Sequence, residues 1–237
     1  FAAIVWLSVL RIGQGVALGG SWDGLPSLLA LNAPENKRGW YAMLGQLGAP
    51  AGFLIAAGLF WFMLTRLTDE EFLDWGWRYP FYVAFAINVV ALFARLRLVS
   101  TNEYARLLDE RELQPVSVFE MGRGQGRNVL IGALAALASY ALFHLVTVFP
   151  LSWISVYQTR SASDFLQIQM LGAVLAAIGV VISGLLADKV GRRTTLGVLA
   201  VLIAIFSAFV PTLMGGGNFG QDIFILVGFS LLGLSYG

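Results

Sequence analysis

The sequence has no cysteine, one histidine and few charges: only 12% of its 237 residues are Asp, Glu, Lys or Arg. Without cysteine there is no disulfide framework, thiol nucleophile or thiolate metal site. With His144 as the sole imidazole, a histidine-based metal cluster is excluded too, and no cofactor or metal is expected. Soluble domains carry about 25% charged residues, so the shortage of charge excludes water as the solvent for most of the chain. Disorder is excluded from the other side, because 58% of the residues are hydrophobic and 13% aromatic. A net charge of +1 makes no electrostatic case for a nucleic-acid partner.

What the chain does have is apolar length. Crossing about 30 Å of hydrocarbon takes roughly 20 apolar residues in a helix. Seven runs qualify as candidate spans: Phe1 to Leu31, Trp40 to Leu64, Tyr79 to Leu98, Asn128 to Tyr157, Phe165 to Ala187, Thr194 to Met214, and Ile223 to Gly237. They are continuously apolar and lack the short alternating pattern of barrel strands, so the expected fold is all-α and polytopic, with a lipid bilayer as its surroundings. Phe1 opens inside an apolar run and the last run is short, so the sequence reads as part of a longer protein.

The basic residues are distributed unevenly between alternate connections. Lys37, Arg38, Arg95, Arg97, Arg106, Arg111, Arg123, Arg127, Lys189, Arg192 and Arg193 fall in one set, and only Arg66, Arg78 and Arg160 in the other. The first set is expected to face the cytoplasm. The segment from Arg66 to Arg78 then lies outside, with Asp69, Glu70, Glu71 and Asp74 as its acids and Trp75, Trp77 and Tyr79 as an interfacial anchor. The polar stretch Val99 to Gly126 reads as a cytoplasmic connector, either a plain linker or one whose first half lies along the membrane on Tyr104, Leu107 and Leu108.

The strongest local pattern is Gly184-Leu185-Leu186-Ala187-Asp188-Lys189-Val190-Gly191-Arg192-Arg193. Gly184 permits a close helix approach, and Gly191 permits a turn that a side chain would resist. Asp188 is placed to hold a nearby cation or to accept hydrogen bonds from the N-terminus of another helix. The bland reading of the segment is a basic membrane anchor. A second pattern is Arg11-Ile12-Gly13-Gln14-Gly15 followed by Gly19-Gly20-Ser21-Trp22.

The first pattern resembles the loop signature of the major facilitator superfamily, and the second the helix 4 motif of its metabolite:proton symporters. Arg38-Gly39, Gln46 to Pro50, and Trp75 to Pro80 agree with the same subfamily. The resemblance covers the whole chain and implies that the seven runs are helices 4 to 10 of twelve. It divides the chain into part of an N-terminal six-helix bundle (1–98), a linker (99–127) and part of a C-terminal bundle (128–237). It also implies a gating role for Gly184, Asp188, Gly191, Arg192 and Arg193, with Asp188 approaching the start of the second run near Gly39 and Trp40. One position departs: where the subfamily has an acid after Gly-Gly, this chain has Ser21, and its acid comes two residues later at Asp23.

Arg11 and Asp23 are the ionisable groups most clearly inside a span, where a charge costs at least about 2.5 kcal/mol unless paired or wet. Twelve residues of helix separate them by about 18 Å, so each needs a partner elsewhere. Both are candidates for the substrate or proton pathway, against the alternative of a structural ion pair, which Asp23's position near the basic end favours. Gln14, one turn from Arg11, is a candidate solute ligand. His144, with Tyr140 one turn before it, is either a packing residue or a proton carrier titrating near neutrality. Gln169 is a further pocket candidate, and Pro50 is expected to kink its helix. The resemblance implies alternating access by a monomer in a bacterial plasma membrane, with a small organic solute (a carboxylate, osmolyte or zwitterion) carried in symport with protons. A seven-helix receptor and a membrane enzyme are the rivals. No lysine lies within a span to hold retinal, and no catalytic cluster is evident, so an enzyme is not expected.

Overall fold

The computed structural model describes residues 2–21, 29, 33–34, 37–99, 118–157 and 160–237. Its helices are α1 (Ala2–Ser21), α2 (Arg38–Gln46), α3 (Gly48–Arg66), α4 (Asp69–Asp74), a 3-10 turn (Gly76–Arg78), α5 (Tyr79–Val99), α6 (Val118–Thr147), α7 (Phe149–Tyr157), α8 (Ala162–Val190), α9 (Arg192–Gly215) and α10 (Gly217–Tyr236). Among the described residues there is no strand. Lipid offers no hydrogen bonds to the backbone, so a spanning chain pairs its amides within helices.

Among the described residues, six helical stretches are long and apolar enough to cross a membrane: Arg38–Arg66, Gly76–Ala94, Gly124–Tyr157, Ala162–Val190, Arg192–Gly215 and Gly217–Tyr236. The first of the seven expected runs contributes a shorter apolar helix, Ala2–Ala17, and 1, 22–28 and 30–31 of that run lie outside the described residues. Residues 100–117, with the proposed membrane-surface segment, also lie outside them. The second half of the connector is helical, because α6 starts at Val118 and bends at Gln125, between Gly124 and Gly126.

Two spans are broken near prolines. Pro50 has no N–H for the Gln46 carbonyl, and α2 gives way to α3 at Leu47. Pro150 likewise leaves the Val146 carbonyl without its donor, and α6 gives way to α7 at Val148.

The contacts group the chain into two units, Phe1–Ile55 with Ala141–Gly237, and Ala56–Tyr140. In the first, α8 and α10 run side by side in the same direction on small residues. A side chain at Gly172 would meet the Phe229 ring, one at Gly179 would meet the Ser230 carbonyl, and one at Gly233 would collide with the backbone of Ala176. Such close approach lets dispersion hold helices together where lipid removes the hydrophobic drive. Around this seam lie Leu142, Val146, Ile154, Phe165, Ile203, Phe206 and Phe224, all buried, with Phe206 and Phe224 stacked at 5.3 Å.

The second unit carries the acidic segment. Thr68 caps α4: its hydroxyl accepts from the Glu71 N–H, while the Glu71 carboxylate accepts from the Thr68 N–H at 2.9 Å. Beyond it the aromatic residues pack edge to face, Trp75 on Tyr79 at 5.2 Å and Trp77 on Phe81 at 6.1 Å, with the Arg78 guanidinium over Trp77.

Candidate functional site

The Gly184–Arg193 segment forms the end of α8, a sharp turn and the start of α9. Gly191 makes that turn at φ 95°, a left-handed conformation open to glycine and strained for other residues. One turn earlier, the Asp188 carboxylate takes two amides from the first turn of α2: the Gly39 N–H donates to Oδ1 at 2.8 Å and the Trp40 N–H to Oδ2 at 3.0 Å. Lys37, which precedes α2, supplies no side-chain cap, so Asp188 caps that helix from 148 residues away. Of the two bonding modes open to Asp188 in the sequence, the structure shows the helix N-terminus.

Two glycines make this approach possible. A Cβ on Gly39 would stand 2.7 Å from Asp188 Oδ1 and 2.8 Å from the Gly184 carbonyl oxygen, and one on Gly184 would stand 2.6 Å from Met43 Cγ. The junction therefore brings together the connection holding Lys37 and Arg38 and the one holding Lys189, Arg192 and Arg193, which the charge count had placed on one side. Arg192 and Arg193 themselves are exposed.

The pathway candidates lie on separate elements. Arg11 and Gln14 lie on α1, both exposed, with the Arg11 guanidinium donating to Gln14 Oε1 at 3.3 Å. Asp23 lies outside the described residues. Tyr140 and His144 are exposed on α6, and the His144 ring sits edge to face against Phe143 at 5.5 Å.

Gln169 occupies a different kind of place. It is fully buried on α8, and its Nε2 donates to the carbonyls of Val146 and Thr147, each at 3.1 Å. These belong to the α6–α7 break. Its Oε1 is buried with no hydrogen-bond partner among the described residues. The pocket role expected for it therefore meets an amide already committed to backbone.

Sequence reasoning missed one polar contact altogether. The Arg160 guanidinium donates to Asp222 Oδ1 at 2.5 Å, tying the start of α8 to the start of α10 at the end opposite Asp188. No sequence signal links these two residues, which stand 62 positions apart. Outside the spans, the backbone N–H of Thr68, with help from its hydroxyl, holds the Glu71 carboxyl below its ordinary value.

Comparison with known proteins gives the family. The chain is 33% identical over 241 residues to the inner membrane metabolite transport protein YhjE of Escherichia coli K12, covering 98% of this chain and 54% of the relative. It is 32% identical over 240 residues to the shikimate transporter of the same strain, covering 98% and 54%. It is 26% identical over 246 residues to the proline/betaine transporter of Salmonella typhimurium LT2, covering 98% and 46%. The chain thus spans about half the length of the curated relatives it matches. No solved structure matches it. The Major Facilitator Superfamily matches residues 1–237, the whole of the sequence, and the chain belongs to that family of multi-pass membrane transporters.

Proposed function

We propose that the chain is the part of a secondary transporter that contains helices 4 to 10, and that the whole protein moves a small organic solute in symport with protons by alternating access. The observation that carries this reading is the pair of bonds from Asp188 to the Gly39 and Trp40 amides. In the helix assignment that the resemblance gives, α2 belongs to helix 5 of the N-terminal bundle (1–98) and α8 to helix 8 of the C-terminal bundle (128–237). A carboxylate on one bundle then grips the positive end of a helix on the other, and the grip must loosen for the pathway to open at that end. Gly184, Gly191, Arg192 and Arg193 complete this gate. Its side is the cytoplasmic one by the distribution of Lys and Arg, in a bacterial plasma membrane.

Arg11 and Gln14 supply a cation and an amide suited to a carboxylate-bearing solute, with Asp23, Tyr140 and His144 as further polar groups of the pathway. Relatives named for proline, betaine and shikimate transport set the solute range to try first. The test is uptake of labelled proline, glycine betaine and shikimate by cells making the full-length protein, with and without a protonophore. Accumulation of at least one, abolished by the protonophore, is expected. Accumulation that survives the protonophore removes proton coupling, and none of these or related small solutes accumulating removes the solute class.

A further inference from the structure

Gln169 stands in the apolar core with Phe165 one turn before it and Ala173 one turn after, both fully buried. A leucine would suit such a position on packing grounds alone. An amide there is costly unless bonded, so its partners should indicate its use. Both donors go to the carbonyls of Val146 and Thr147, four and three residues before Pro150. Pro150 can supply no N–H to Val146, and the helix breaks at Val148. The Thr147 hydroxyl adds to the break by donating back to the Phe143 carbonyl at 2.6 Å, an arrangement that bends helices. Helical bonding continues on either side of it, with the Val148 N–H on the His144 carbonyl at 3.1 Å and the Ser152 N–H on the Val148 carbonyl at 3.2 Å. The α8 amide thus takes over the work of the missing backbone donor.

We propose that Gln169 is a positioning residue for transport: its amide clasps the two buried carbonyls at the Pro150 break and sets the angle at which α7 leaves α6. The α6–α7 span is then a jointed helix whose joint is held from α8, the helix that also carries Asp188. Two bonds to carbonyls define the clasp, and Oε1 adds no further anchor among the described residues. A joint held in this way is fixed in geometry yet free to rotate once both bonds part. The proposal rests on the transport reading for its purpose, but not for its geometry.

The experiment measures both in the full-length protein, whose described sequence has no cysteine of its own. Spin labels at Ala141→Cys and Val156→Cys bracket the joint, about 22 Å apart along a straight helix. Four backgrounds are compared: the native joint, Gln169→Leu, Pro150→Ala, and both together. Gln169→Leu should shift or broaden the distance distribution, while Pro150→Ala should narrow it toward the straight-helix value. In the Pro150→Ala background, adding Gln169→Leu should change nothing, because the backbone N–H restored by the first substitution serves the Val146 carbonyl. Should Gln169→Leu fail to accumulate in the membrane, the double variant is expected to accumulate. A native distribution in Gln169→Leu, an equal effect in both backgrounds, or no recovery in the double variant overturns the clasp.

Transport kinetics complete the test. Maximal uptake by Gln169→Leu should fall about tenfold, with the half-saturation concentration within about twofold of native. A raised half-saturation at native maximal uptake would make Gln169 a solute ligand instead and overturn the positioning role. If the distances respond as expected and no solute is carried, the clasp stands and the transport reading falls.

Discussion

The two ends of α8 are tied down by opposite kinds of chemistry. At the C-terminal end a carboxylate is held by two backbone amides of α2, and the donors are fixed because they belong to the first turn of a helix. At the N-terminal end Arg160 and Asp222 meet side chain to side chain, with 16% and 31% of their side-chain surfaces exposed. The first junction depends on two glycines that bring backbones together, and the second on a flexible side chain that can find its partner from several positions. A rigid junction fails when its spacing is disturbed, whereas a flexible one fails only when its charge is. That difference suits the first to a latch with one closed geometry and the second to a brace that tolerates small movements.

The largest effect should come from spacing. In Gly39→Ala the new methyl meets both Asp188 Oδ1 and the Gly184 carbonyl at under 3.0 Å, and the second of these is backbone that cannot swing away. Overpacking of this kind costs about 1–3 kcal/mol. Gly184→Ala meets mainly the Met43 side chain and should cost less. Thermal unfolding of the full-length protein in detergent should rank Gly39→Ala below Gly184→Ala, and the reverse order would show that the junction is not set by backbone approach. Next comes charge at the same place. Asp188→Asn keeps one acceptor but loses the carboxylate at the positive helix end, which contributes about 0.3–1 kcal/mol at an exposed residue such as this one. Labelling of a cysteine at Ala42 from the cytoplasmic side should rise in this variant, with membrane abundance unchanged. Native accessibility would remove the latch.

How far each junction was legible in the sequence follows from how its residues are spaced. The Asp188 end lies in one decapeptide with Gly184 and Gly191, and the roles of both glycines follow from physics at those positions. Its partner helix, by contrast, came from resemblance. The all-α membrane architecture was legible because apolar runs of span length need no tertiary information. Pro50 announced the α2–α3 break, and Pro150 could equally have announced the one at Val148. What could not be read was that an amide nineteen residues beyond Pro150 would turn back to the carbonyls there. The pairing of Arg160 with Asp222 was hidden for the same reason, since only the α8–α10 packing brings them together. Exposed Arg11, Gln14, Tyr140 and His144 show the converse, that polarity within a span marks a residue without saying what it meets.

At the N-terminal end of α8 the expectation is smaller and reversible. Arg160→Asp or Asp222→Arg alone sets like charges against each other, while the exchanged pair restores the attraction. Exposed pairs contribute about 0.2–1 kcal/mol, and partial burial should bring this one to the upper part of that range. A double-mutant cycle on the neutral variants Arg160→Gln and Asp222→Asn, read by thermal unfolding, should therefore show coupling of about 1 kcal/mol, shrinking in high salt. Coupling above about 3 kcal/mol would mean that this end is as rigid as the other.

The smallest effect belongs to a junction that needs no second helix. In the Thr68–Glu71 box every partner lies within one turn, so it measures what local capping achieves without tertiary support. The hydrogen bonds from Thr68 favour the ionised carboxyl, so the folded pKa of Glu71 lies below its ordinary value of 4.5. A depressed acid contributes stability that is complete above its unfolded pKa and is lost as pH falls through the folded one. Amide exchange at Phe72 and Trp75, whose N–H groups bond to Thr68 and Glu71, should therefore be steady near neutrality and quicken relative to intrinsic rates below the ordinary carboxylate range. Glu71→Gln keeps an acceptor without the charge and should flatten that dependence. Thr68→Ala should raise exchange at every pH, because it removes the hydroxyl that holds the Glu71 N–H. Protection at Phe72 that stays level through acid in the native chain would show that the box is held by its surroundings, as the Asp188 junction is, and not by its own two residues.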